Sequence, residues 1–342
     1  MSPELLDLLC DPDTRAPLSL KDPIYDTNGK IISGVLATPK GKTYPIINGI
    51  PRFVPAQLKA SVESFGDEWN YFNFIDFKAS WLNHTIKNTF GSPEAFKGKV
   101  VIDCGAGSGS QTLWMLESGA KHVIALELSH SVDDVMQRNL ANSVYTNYDI
   151  IQCSIDNPPL RSRSINGIVI CHNVIQHTPS VEKTAQALFD LVGEGGEFVF
   201  NCYPLNDQGL VRWIRAHCIN GPLRSLLSRL PFTVNLYYAR LMGLLGIIPG
   251  IGFLVEKLGF CMRGDHSMLK SLDFKHRLKL RYRGIVLNTF DWFGSHKFQQ
   301  YKSNDEIKAL LNVLQPQSAK ILNQDEYFTR PMPHGCALRV LR

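Results

Sequence analysis

The sequence predicts an α/β protein built on a doubly wound, mostly parallel sheet, with a small β module in front and a helical insertion late in the chain. Three observations carry this. From residue 100 to 204, short apolar runs alternate with helix-like stretches, the alternation expected of βαβ units. The turns between them are short and hold Gly or Asn. The first run leads straight into "GAGSGS", where glycine stands at every second position and leaves the backbone bare.

Taken in order, residues 1–57 read as a small appended module ending in the apolar hairpin "YPIINGIP". Residues 58–95 read as helical, with Phe65, Trp69, Phe72 and Phe74 on a mixed aromatic face. "VVIDCG", "HVIALEL", "YDIIQC", "INGIVICHNV" and "GEFVFNCY" then read as strands, with helices over 110–118, 130–140 and 180–192. The pattern breaks off from about 204 to 285. It resumes with the helix "SNDEIKALLNVL", the strand "AKILNQ" and a last, antiparallel strand "CALRVLR". The main domain is therefore expected over 58–204 and 286–342, and the mainly helical insertion over 205–285.

The chain has 342 residues, of which 44% are hydrophobic and 20% charged, an ordinary balance for a globular protein with a sizeable core. Its eight cysteines stand singly, without a C-x-x-C pair, which argues against a disulfide framework and against a cysteine-rich zinc site. The opening "MSPELLDLLCDPDTR" has acids where a secretion signal carries bases, so the expected compartment is the cytoplasm. The formal charge of +5 is uneven: residues 204–286 hold thirteen Lys and Arg against four acids. That segment is suited to meeting something anionic, or to a solvated basic helix face.

Gly105, Gly107 and Gly109 lie just past the first strand, where doubly wound sheets bind nucleotide-like ligands. The dinucleotide fingerprint would need glycine at Ser110, and the lysine of a P-loop is missing, so a pyrophosphate is a poor guest. Glu127 ends the second strand at a spacing from the glycines that suits a carboxylate reaching a ribose diol. Together, "IDCGAGSG" and Glu127 resemble the motif of class I S-adenosylmethionine-dependent methyltransferases, D/E-x-G-x-G-x-G followed by an acid after the second strand.

The resemblance implies a Rossmann-like sheet and S-adenosyl-L-methionine as cofactor. It implies contacts from Asp103, Gly105, Ala106, Gly107 and Gly109 in the turn, from Glu127 and Leu128 after the second strand, and from Trp69 in the preceding helix. Ser154, where the family usually has an Asp, and Ile155 would lie along the adenine. Cys171, Asn173 and Gln176 would follow from the fourth strand and its "VIQHTP" loop.

A second resemblance sits at the front. "LLDLLCDPDTRAPLSL" with "GVLATPKGKTYPIINGIPRFVP" looks like the zinc-ribbon module that accompanies some of these methyltransferases. Cys10 keeps one ligand position, but the others read Asp13, Ala37 and Lys40, so no metal is expected.

Methyl transfer asks the protein to align a nucleophile and, where needed, to take its proton. His177 in "VIQHTPS" is the first candidate base, with His172 in "ICHNV" second. Asp291 in "LNTFDWFGS" is expected to orient the imidazole or bind a hydroxyl. "NCYP" at 201–204 faintly resembles the N-P-P-Y of amine methylases but follows the wrong strand, so it assigns no N-methylation, although Tyr203 can still reach the pocket. The expected reaction is methylation, at oxygen, of a small-molecule, sugar or lipid-linked acceptor, anionic or apolar. An RNA or protein methyltransferase and a non-catalytic binding protein are the alternatives, and nucleic acid is the weaker partner. In the insertion, "LYYARLMGLLGIIPGIGFLVEKLGF" is apolar but broken by Gly and Pro and too short an uncharged run to span a bilayer. It suits a helical cap over the substrate or an interfacial lid touching anionic lipid. "KHRLKLRYR", 275–283, alternates basic with apolar residues and is expected to form a half-buried strand or ribbon. Oligomeric state is left open.

Overall fold

The computed structural model describes residues 1–54, 59–205, 209–262, 273–294, 296, 298–322 and 337–342. They fall into two compact units, one holding Met1–Pro204 and the chain from Phe298 onward, the other Leu205–Lys297.

In the first unit, helix α1 (Pro3–Leu8) precedes an antiparallel meander of β1 (Ser19–Tyr25), β2 (Ile31–Ala37), β3 (Thr43–Ile47) and β4 (Ile50–Pro51). The β3–β4 hairpin turns on Asn48 and Gly49, both with positive φ, as a two-residue hairpin loop favours. Seven strands form the main sheet: β5 (Val100–Cys104), β6 (His122–Glu127), β7 (Tyr148–Gln152), β8 (Ile168–Cys171), β9 (Glu197–Asn201), and then β12 (Ser318–Leu322) and β13 (Ala337–Leu341). Their order is β12-β13-β9-β8-β5-β6-β7, with β5 to β9 parallel and β13 antiparallel to both its neighbours. The reversal of winding between β5 and β8 opens a crevice at the strands' C-terminal ends. A two-residue parallel pair, β10 (Tyr203–Pro204) and β11 (Tyr301–Lys302), was not anticipated.

Successive residues of each strand face opposite sides, so near-continuous apolar runs supply two cores. Ile102, Leu126 and Phe200 join one, with α5 (Val181–Phe189) and α6 (Asn304–Leu314). Val101, Ala125 and Val199 join the other, with α3 (Ser110–Glu117) and α4 (Val135–Ala141). Helix α2 (Lys59–Tyr71) lies within the stretch expected to be helical.

The front module is part of this unit rather than an appendage. Leu5, Leu9, Ile31 and Leu36 share a core with Ile151 and Leu160, and Phe53 donates its N–H to the Gln152 carbonyl at 2.8 Å. A buried carboxylate adds hydrogen bonds to the tie. Asp149, 3% exposed, accepts from the Ser2 N–H at 2.6 Å and hydroxyl at 2.5 Å, and faces His122 Nε2 at 2.9 Å. Burial pushes the Asp149 carboxyl up, but the hydrogen bonds from His122 and Ser2 outweigh it and hold the pKa below the usual 3.8. A depressed folded-state value gives stability that is complete above the unfolded-state value and is lost as pH falls through the folded one. Asp149→Ala is therefore expected to cost about 2–4 kcal/mol in urea melts at pH 7, with the gap from the parent protein narrowing as pH drops below 3.8.

The second unit is helical. Helix Phe232–Ile247 packs on helix Phe274–Phe293, and Gly243 and Gly246 allow the approach: a Cβ at Gly243 would lie 2.5 Å from Val286, and one at Gly246 3.0 Å from Ile285. Two expectations change here. "KHRLKLRYR" is helix, not strand, because Tyr282, Ile285, Val286, Thr289 and Phe293 follow helical spacing and Asp273 caps the first turn through the Lys275 and His276 amides. Since that helix runs through residue 286 without a break, the unit extends to Lys297 and not to 285. Among the described residues, no helix is long and apolar enough to cross a membrane.

Candidate cofactor and catalytic site

The glycine turn is locked to the neighbouring strand. The Gly105 and Ala106 N–H groups both donate to the Leu126 carbonyl, at 2.7 and 3.0 Å. Gly105, Gly107 and Gly109 all have positive φ, at 80°, 56° and 75°, a region costly for any residue with a Cβ. Space is as tight as the torsions: a Cβ at Gly105 would lie 2.4 Å from Val174, and one at Gly107 2.9 Å from the Trp69 indole. Trp69 is thus brought onto the turn by α2.

Glu127 is 4% exposed, and each of its carboxylate oxygens accepts one backbone N–H, from Gly107 at 2.7 Å and from Ser129 at 2.8 Å. Each oxygen keeps a further acceptor site, so the fixed carboxylate can still take donors from a diol. Asp103, 4% exposed, accepts from the Thr112 hydroxyl at 2.6 Å and so pins the start of α3 to the end of β5. Its pKa is pushed up to about 6, chiefly by burial, with the Thr112 bond opposing and the Glu127 charge adding.

Other expected contacts divide. Leu128 and Ser154 are half-buried at the strand ends, and the Leu128 carbonyl accepts from Gln152 Nε2 at 3.2 Å. Asn173 takes a left-handed φ of 58° and exchanges hydrogen bonds with Asn201, its N–H donating to Asn201 Oδ1 at 2.7 Å. Gln176 is fully buried, and among the described residues its side-chain amide has no hydrogen-bond partner, an orphaned polar group in the loop beside the crevice. Ile155 and Cys171, by contrast, are buried in the core, Ile155 packing with the front module's leucines.

Of the three candidate catalytic groups, His177 is best prepared. Its Nδ1 lies 3.1 Å from the Phe298 carbonyl, a bond that puts the proton on Nδ1 and the ring's lone pair on Nε2. Phe65 and Tyr203 meet the ring edge-on, at 5.9 and 5.6 Å between centroids. His172 is a poorer base than expected: burial drives its pKa down to about 4, and its Nε2 is 3.1 Å from the Thr85 hydroxyl. Asp291 lies in helix Phe274–Phe293 of the second unit, 3.3 Å from His296, and not in the sheet domain where it was expected.

Four residues that shape the site were missed. Ser129 and Ser131 follow Glu127, and the Ser131 hydroxyl donates to the Gly107 carbonyl at 2.8 Å. The polar "SHS" after the strand was the available signal. Thr112 and Asn201 act across the chain on Asp103 and Asn173, and local sequence offers no sign of that.

The donor set fits S-adenosylmethionine: bare peptide at a strand end, a fixed carboxylate beside it, and an unmatched buried amide. Residues 102–200 match the family model described as "Methyltransferase domain".

Among curated proteins, protein arginine N-methyltransferase PRMT10 of Oryza sativa subsp. japonica is 34% identical over 67 residues, covering 20% of this chain and 18% of its own length. Protein arginine N-methyltransferase 1 of Oryza sativa subsp. indica is 31% identical over 98 residues, covering 26% of this chain and 24% of its own. The chain thus spans less than a quarter of the length of these relatives. Among solved structures, the S-adenosylmethionine-dependent methyltransferase of Mesorhizobium loti is 23% identical with a TM-score of 0.29, over 32% of this chain and 49% of that one.

Proposed function

We propose that the protein transfers a methyl group from S-adenosylmethionine to a hydroxyl of a small-molecule, sugar or lipid-linked acceptor. The observation that carries the reading is the Glu127 carboxylate, held on the Gly107 N–H at 2.7 Å at the mouth of the sheet. Glu127 would hold the ribose hydroxyls and the glycine turn would face the amino-acid end, with Ser154 offering the adenine an uncharged acceptor. When bound, the cofactor supplies an activated methyl on its sulfonium. His177, its Nδ1–H tied to Phe298, would present Nε2 to receive the acceptor's proton.

The front module is read as a zinc-ribbon derivative with a structural role. In support, polar side chains join its two loops: Asp11 accepts from the Thr14 N–H and from the Tyr44 hydroxyl, and Lys42 pairs with Asp13 at 2.5 Å. The curated relatives are arginine methyltransferases by name, but the short matched stretches do not reach an acceptor preference.

The test is calorimetry with S-adenosylhomocysteine, followed by incubation with methyl-labelled cofactor and fractionated cell extract, read by mass spectrometry. Micromolar binding and label on a small hydroxylated compound are expected. No binding would remove the cofactor reading, and label on RNA or protein alone would replace the acceptor.

A further inference from the structure

Helix Phe232–Ile247 is apolar on two opposite sides. Leu236, Ala239, Met242, Gly243 and Gly246 are buried. On the other side Val234, Tyr237, Leu241, Leu244 and Ile248 are exposed, Tyr237 by 69% and Leu244 by 54%. These five positions repeat at three and four residues, so they make one stripe along the helix. In the adjoining helix Ile251–Lys257, Phe253 and Leu254 are more than half exposed as well. A monomeric surface seldom leaves so long an apolar patch open without a partner for it.

The charges around the patch say what that partner is. Arg240 lies over the Tyr237 ring at 6.0 Å, Lys257 over Phe253 at 5.3 Å and Arg277 over the exposed Phe274 at 5.8 Å. Basic heads thus stand beside exposed rings. The described residues of this unit carry eleven Lys and Arg against three acids. Nucleic acid would meet the cations but gain nothing from a stripe of leucines. An anionic lipid surface meets both, with acyl boundary for the stripe and phosphates for the cations.

We propose that this face of the second unit binds the surface of an anionic phospholipid bilayer. It lies in the interface rather than crossing it, and the proposal stands apart from the methyl-transfer reading. The experiment is co-sedimentation of the full chain with vesicles of phosphatidylcholine alone and of phosphatidylcholine mixed with phosphatidylglycerol. Binding at least about tenfold tighter to the mixed vesicles, weakened by salt, is expected.

Leu241→Ser with Leu244→Ser is expected to reduce that binding about tenfold or more, with unchanged circular dichroism because both side chains are exposed. Lys257→Glu is expected to erode the preference for anionic vesicles. No binding to either vesicle, equal binding to both, or an unaffected leucine variant would each overturn the proposal. So would a dimer in sedimentation velocity that the leucine pair disrupts, which would give the face to a second copy. Salt-sensitive RNA binding abolished by the same pair would overturn it too.

Discussion

Glu127→Gln is expected to weaken S-adenosylhomocysteine binding by about a hundredfold in calorimetry, while the protein stays folded. The side chain keeps its shape but loses acceptor capacity on one side. Both oxygens of Glu127 already receive a backbone N–H, from Gly107 and Ser129. A glutamine amide turns its NH2 toward one of those donors, so a buried N–H goes unmatched and the Gly107 peptide loses an anchor. The ribose hydroxyls lose a charged acceptor at the same time. One charge-assisted bond is worth roughly 1.5–3 kcal/mol, and two weakened together account for about a hundredfold in affinity. Binding within about threefold of the parent would show that Glu127 holds the turn and not the ligand.

His177→Ala is expected to lower methyl transfer by about 10²- to 10⁴-fold, the usual range for a lost general base. Cofactor affinity should stay within about twofold, because the imidazole's fixed bond runs to Phe298 and not to the glycine turn. Single-turnover rates with labelled cofactor measure the first effect and calorimetry the second. A rate loss that disappears at high pH, where the acceptor ionises unaided, would mark proton removal as the step His177 serves. A matching loss of binding and rate would instead make it a structural prop for the loop after β8.

The sheet could be read from the chain because its strands are buried on both faces and appear as continuous apolar runs, and because a strand, a glycine turn and a strand-end acid are local features. What escaped detection depends on distant partners. Asn201 was set aside inside "NCYP", yet its amide fixes Asn173, a contact between the end of β9 and the loop after β8, 28 residues apart. "KHRLKLRYR" misled because nine residues of alternation mimic a strand, whereas the continuation to Phe293 shows a helical face. Asp291 was misplaced by the same error. His172 stood as the second candidate base, since burial, which lowers its pKa, has no local signature.

The strand order carries a consequence for how the chain is made. β13 fills the place beside β9, pairing Leu338 with Phe200, so one flank of the sheet waits for residues that leave the ribosome well over a hundred positions later. At roughly 5–20 residues per second that wait is on the order of ten seconds. Throughout it, β9 stands as a naked edge of alternating aromatics, and a nascent chain stalled after Pro204 would be a client for chaperones rather than a small finished domain.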